Sequence, residues 1–191
     1  MEVKTNNISN LLEEFTKVGV CETGKRYLKG TPKDIETLIK VWRRWPEYLY
    51  EHSEYALSIL RKYLTEENKK YLAGQHLFVD FTGSVNISIE NSEHPVFILG
   101  DSDCIVSTTH YAVLKMYVFN SSRVELSCED HSINDIEAFN NSYLNINVDS
   151  DSKCKVYQYD KAEIIGNAEI SSKEYKRGLV FNGKEINEKT E

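Results

Sequence analysis

Leu99, Phe119, Phe139 and Tyr159 stand twenty residues apart, and the residue after each is Gly100, Asn120, Asn140 and Asp160. Glycine, asparagine and aspartate adopt a left-handed backbone conformation more readily than other residues. A large apolar residue followed by such a turn, at a fixed period, marks stacked coils in which each coil buries its apolar edge against the next. Other columns keep the period. Val96, Met116, Ile136 and Val156 form one, and Ile98, Val118, Ala138 and Gln158 another. Across the turn lie Cys104, Val124, Leu144 and Ile164, then Val106, Leu126, Ile146 and Gly166. Within each coil these positions alternate with polar ones, the period of a strand. The pattern holds along the strand and also from coil to coil, which points to parallel strands lying one above another.

A step of nineteen adds an earlier coil, with Leu77, Val79, Val85 and Ile87 in the same columns. Small residues fill the turn at Gly83, Ser102, Ser122, Ser142 and Ala162. Ser88, Ser107, Ser127, Asn147 and Asn167 form an outward polar ladder, and stacked asparagines can hydrogen-bond along the axis. An inter-strand rise of about 4.8 Å makes five coils a rod of about 20–25 Å.

Over residues 77–170 the pattern resembles the parallel β-helix, or β-solenoid, class. The resemblance rests on the coil period and the Asn/Asp turn column, and it carries no functional motif. Members of that class commonly place an N-terminal helix over the open end of the core, a role that residues 31–74 could fill. The expected fold is α+β: an N-terminal helical cap, then a short single-stranded parallel β-helix of about five coils with roughly 20 residues each. The coils lack a hexapeptide rhythm, so a right-handed winding is expected. The expected boundaries are 1–74 for the cap, 75–171 for the β-helix and 172–191 for a C-terminal hairpin and tail. The hairpin rests on Asn182-Gly183 between Leu179-Val180-Phe181 and Ile186.

The N-terminal third has helical periodicity. Residues 8–17 read as a helix ended by Gly19, and a short turn covers Lys25–Lys29. Thr31 as N-cap, Pro32 in the first turn and Asp34 behind it open the next helix, whose apolar face is Ile35, Leu38, Ile39 and Trp42. Trp45-Pro46 breaks it. A helix over 47–63 buries Leu49, Ala56, Ile59, Leu60 and Tyr63, and Thr65 caps a last helix that ends at Gly74. Trp42-Arg43-Arg44-Trp45 reads as packing, with the arginines directed to solvent or to Glu47 and Glu51.

The net charge is −7, with +2 in residues 1–74 and −9 in residues 75–191. An acidic body argues against a nucleic-acid groove there, because phosphate contact needs positive potential. Met1–Asn7 has no apolar core of the secretory kind, and no apolar run approaches membrane-spanning length. The expected setting is the cytoplasm, or a particle assembled there. Cys21, Cys104, Cys128 and Cys154 form no CxxC pair and read as reduced, mostly buried thiols.

One outward column, Ser84, Asp103, Arg123, Tyr143 and Glu163, with Glu125 two residues from Arg123, is the best candidate for catalysis. Arg123 and Tyr143 would position a sugar, with Glu125 or Asp103 as base. The alternative is a surface ladder in which Asp103 and Arg123 form an exposed ion pair. His110 and His131 occupy equivalent loops, Thr108-Thr109-His110 and Glu129-Asp130-His131, and are the candidate metal ligands. No cofactor motif is present, and none is expected to bind. Two fates are open for Phe119, Phe139 and Tyr159. Turned inward they are core; turned outward they form a ribbon for a partner or for self-association. The functional expectation is a non-enzymatic structural or protein-interaction module, such as a component of a phage-type assembly, with a protein or a second copy as partner. The alternative is a small carbohydrate-binding or carbohydrate-cleaving protein. Neither nucleic acid nor membrane is expected as a partner.

Overall fold

The computed structural model describes residues 3–172. Five helices come first: α1 (Val3–Phe15), α2 (Glu22–Gly30), α3 (Ile35–Arg44), α4 (Glu47–Tyr63) and α5 (Glu66–Ala73). Eleven strands follow among the described residues: β1 (Leu77–Val79), β2 (Thr82–Ile87), β3 (Val96–Leu99), β4 (Asp103–Thr108), β5 (Val113–Val118), β6 (Arg123–Cys128), β7 (Ile133–Ala138), β8 (Tyr143–Val148), β9 (Lys153–Gln158), β10 (Glu163–Gly166) and β11 (Glu169–Ser172). The odd strands form one parallel sheet and the even strands a second, so the chain is a β-solenoid. Four turns of twenty residues run from Leu77 through Phe97, Tyr117 and Glu137 to Tyr157. The last turn is shorter, because Glu169 pairs with Lys155. The expected hairpin at 179–186 lies outside the described residues.

The four apolar columns from Val96 onward pair as the sequence period requires. Their side chains fill the lumen: Val96, Ile98, Met116, Val118, Val124, Leu126, Ile136, Leu144 and Ile146 are all buried. The first coil departs from the step of nineteen. Leu77 pairs with Phe97 and Val79 with Leu99, so Phe78 faces the lumen and its two neighbours face away. Val85 pairs with Val106 and Ile87 with Thr108, a step of twenty-one. Two length changes cause this. The Asp80–Phe81 connection is one residue shorter than its successor Gly100–Ser102, and the path from Ile87 to Val96 is one residue longer than that from Thr108 to Met116, which restores the step of twenty. Hence Thr82, not Ser84, heads the Asp103 column, Asn86, not Ser88, heads the Ser107 column, and Gly83 pairs with Cys104 instead of joining the serine turn column.

The turn column is built on left-handed residues. Asp80, Gly100, Asn120, Asn140 and Asp160 have φ of 50°, 82°, 62°, 60° and 54°. Their side chains tie coil to coil. The Gly100 N–H donates to Asn120 Oδ1 (3.1 Å), the Asn120 N–H to Asn140 Oδ1 (3.0 Å) and the Asn140 N–H to Asp160 Oδ2 (3.3 Å). Each bond gives a buried or half-buried backbone donor a partner that a continuous ladder would otherwise supply.

The helices meet the solenoid along its flank. Period two directs Met116 and Val118 into the lumen, and Tyr117 and Phe119 away from it. The outward residues Phe97, Leu99, Tyr117, Phe119 and Phe139 are nevertheless buried, because they share one core with α1, α3 and α4. Phe119, Phe139 and Tyr159 stack face to face at 4.9 and 4.6 Å, and Tyr50 of α4 lies against Phe119 and Phe139. The aromatic ribbon thus points outward and is closed by the chain's own helices. Helix α4 runs down the turn column: Arg61 bonds Asp80, Leu57 lies by Gly100, Glu54 accepts from Asn120 Nδ2 (2.9 Å) and Ser53 meets Asn140 (3.0 Å). Arg61 to Glu54 spans seven residues, about 10.5 Å of helix. Asp80 to Asn120 is two coils, about 9.6 Å. These matched repeats let one helix contact successive coils in order.

Within the helical unit, α3 starts later than expected. Asp34 is the N-cap, accepting from the Thr37 N–H at 2.9 Å. Cys21 caps α2 through its thiol, and Thr65 with Asn68 forms a capping box on α5. Leu38, Ile39 and Trp42 are buried, as a packing role requires. The arginines find partners other than Glu47 and Glu51: Arg43 donates to the Gln75 carbonyl (3.0 Å), and Arg44 lies over the rings of Trp45 and Tyr27. All four cysteines are free thiols, three of them buried.

Candidate functional site

With α4 on one flank, no element among the described residues covers the outer face of the even-strand sheet. Its first column pairs Thr82, Asp103, Arg123, Tyr143 and Glu163 in register. Glu125 stands in the next column between Ile105 and Asn145. Asp103, Arg123, Glu125 and Glu163 are exposed and Tyr143 is half-buried. Arg123 and Asp103 face each other across one strand spacing, yet Arg123 makes no ion pair or side-chain hydrogen bond among the described residues. Ser121, Arg123, Asn141, Tyr143 and Glu163 line a shallow depression. It offers a guanidinium, a ring face, an amide, a hydroxyl and a carboxylate, which suits contact with a polar ligand. Among the described residues no wall rises over the sheet to exclude water from a reacting bond.

The histidine loops do not place His110 and His131 in one column. One coil is twenty residues, so His110 shares a column with Asp130, and His131 shares one with Tyr111. The rings of Tyr111 and His131 stack at 5.1 Å, while His110 Nδ1 lies 2.9 Å from the Thr109 hydroxyl. Among the described residues no group of three His, Cys, Asp or Glu side chains converges as metal ligands would. The buried thiols pack in the lumen: burial pushes the Cys104 thiol up to about 12, and Cys128 and Cys154 lie in the same apolar core.

The exposed half of the odd-strand sheet carries a feature the column analysis missed. Tyr111, Val113 and Ile133 are 63%, 59% and 54% exposed. Val113 and Ile133 are paired across adjacent strands, and the Tyr111–His131 stack continues the strip at one end. Beside it Lys115 holds Asp135 (3.0 Å) and Glu137 (2.7 Å). Burial opposes the Lys115 charge, but the two carboxylates outweigh it and raise the ammonium to about 12. The signal was present in the sequence as Val113 and Ile133 one period apart, at positions whose neighbours Leu114 and Asn134 face the lumen.

No family model, no curated protein and no solved structure matches this chain. The fold alone defines its class, a parallel β-solenoid flanked by a helical unit. No helix among the described residues is long and apolar enough to cross a membrane.

Proposed function

We propose that the protein is a non-enzymatic interaction module, a component of a larger assembly such as a phage-type particle. It binds a protein partner or a second copy of itself through the strip Tyr111, Val113 and Ile133. The observation that carries this reading is the exposure of three large apolar side chains side by side: Val113 pairs with Ile133 across adjacent parallel strands, and Tyr111, in the turn before β5, stacks on His131. A rigid apolar strip loses little conformational entropy when covered, so its burial contributes efficiently to association. The Lys115, Asp135 and Glu137 cluster at its edge supplies both signs of charge for a polar rim.

The test is a Val113→Lys/Ile133→Lys double variant compared with the parent by sedimentation and by cross-linking to proteins of the native host. The reading expects a concentration-dependent mass or a cross-linked partner in the parent, lost in the variant. A variant that keeps the parent's mass and cross-links overturns it.

A second reading, carbohydrate binding at the open sheet face, is favoured by the depression around Arg123, Tyr143 and Glu163. Saturable glycan binding abolished by Arg123→Ala/Tyr143→Ala would support it, and glycan binding that survives both changes would reject it.

A further inference from the structure

The helical unit holds a cavity of about 340 Å³, open to solvent on one side, between α1, α2, α3 and α4. Its size is in the range of small-molecule sites. Phe15, Trp42, Trp45 and Tyr48 supply an aromatic lining, and the charged residues in the wall are Glu47 and Glu51. These two glutamates are one helical turn apart at the start of α4, so they share a face. Glu47 makes no ion pair among the described residues, and Glu51 has only His52 at 3.7 Å.

A second observation is independent of charge. Trp42 is 1% exposed and its indole N–H has no hydrogen-bond partner. The Tyr48 hydroxyl, also shielded from solvent, has none either. Both residues belong to the cavity wall. Buried donors in folded proteins are nearly always paired; these two have no accessible surface of their own, so an acceptor reaches them as the wall side chains part around a ligand. Burial also pushes the Tyr48 phenol up, so it is a neutral donor at physiological pH.

We propose that this cavity binds a compact organic cation: an ammonium group set toward Glu47 and Glu51, an aromatic or aliphatic body among the rings, and an oxygen that accepts hydrogen bonds from the Trp42 N–H and the Tyr48 hydroxyl. Aromatic rings attract cations through their negative faces, so lining and rim favour the same ligand. An anionic ligand of equal shape meets two carboxylates and no cation in the wall. A neutral one gains nothing from those two exposed carboxylates.

The chain holds two tryptophans, and both line this cavity. Intrinsic tryptophan fluorescence therefore reports on it without a label. The probes are 4-methoxyphenethylamine, its alcohol analogue 2-(4-methoxyphenyl)ethanol, 3-(4-methoxyphenyl)propionate, and 4-ethylphenethylamine, which keeps the ammonium and lacks the ether oxygen. The expected result is a saturable fluorescence change with the methoxy amine at up to millimolar concentration. The ethyl amine binds more weakly, and the alcohol and the carboxylate bind least. Glu47→Gln/Glu51→Gln weakens the methoxy amine by about tenfold or more and leaves the alcohol unchanged, as loss of two charge contacts predicts. Trp42→Phe, read through Trp45, removes the advantage of the methoxy amine over the ethyl amine. The parent's thermal transition, retained in the glutamine variant, shows that the fold is intact. Absence of saturable binding by either amine overturns the proposal, as does a carboxylate that binds as well as the amine, or amine binding indifferent to both glutamines.

Discussion

The Tyr50 ring of α4 lies on the Phe139 ring of the solenoid, centroids 4.7 Å apart and planes 22° from parallel. This contact joins two units of different architecture into one apolar core. Phe139 stands outside the lumen, so no lumen residue can replace what Tyr50 covers. The helical unit is the second wall of the solenoid's flank, not only a lid at its end.

Removing either ring opens that junction. Phe139 is 1% exposed, and truncating a buried aromatic costs about 3–5 kcal/mol. Phe139→Ala is expected to lower the urea midpoint accordingly. Tyr50→Ala in the same background is expected to add less than its single effect, with a coupling of about 1 kcal/mol. Full additivity would mean that the two rings do not act together.

The turn ladder predicts a ranking at one position. Asn140 has φ of 60°, and its side-chain oxygen accepts from the Asn120 N–H at 3.0 Å and lies 3.0 Å from the Ser53 hydroxyl. Asn140→Ala combines left-handed strain of about 1–2 kcal/mol with a lost hydrogen bond of about 1 kcal/mol. Asn140→Gly keeps the conformation and loses only the bonds. Denaturation should place the parent above Gly, and Gly above Ala. Alanine as stable as glycine would contradict the left-handed turn.

Acid should loosen the contact between α4 and the first coil. The Arg61 guanidinium donates to both carboxylate oxygens of Asp80 (2.9 and 2.6 Å) and holds its pKa below the usual value of 3.8. The folded state therefore binds the Asp80 proton less readily than the unfolded chain does. The resulting stability is fully present above about pH 5 and is lost as pH falls through the lowered value. Arg61 is 42% exposed, so screening by solvent and salt keeps the contribution at about 1 kcal/mol or less. Asp80→Asn should flatten the fall in melting temperature below pH 4, and an unchanged slope would remove Asp80 from the account.

The coil-to-coil columns were legible because a parallel stack repeats the same environment every twenty residues. Ile98, Val118 and Ala138 meet the same lumen, and their sequence positions say so. The first coil was misread where that repetition fails, at the short Asp80–Phe81 connection and the longer path from Ile87 to Val96. Neither length change alters the apolar pattern enough to betray itself. The direction of Phe119 and Phe139 was ambiguous for a different reason. A buried aromatic looks alike in a lumen or beneath a helix, and only the tertiary placement of Tyr50 decides. The late start of α3 has a local cause: Asp34 competes with Thr31 as N-cap, and its bond to Thr37 prevails.

The candidate residues divide in the same way. Asp103, Arg123, Tyr143 and Glu163 fall in one column because register alone places them. His110 and His131 miss each other by one column, because twenty-one residues separate them and the period is twenty. The helical cavity was hidden, since Phe15, Trp42 and Tyr48 come from three helices and nothing in their spacing shows an indole N–H left without a partner.

The stacking of coils from Thr82 to Glu163 can be measured as a ruler. Spin labels placed in pairs on the open face, one always at position 82 and the other at 123, 143 or 163, sit in a single column in a background with Cys21 changed to serine. The account predicts distances that lengthen by about 4.8 Å with each further coil. Distances that fail to grow in order from 123 to 143 to 163, as in an antiparallel meander, would contradict it.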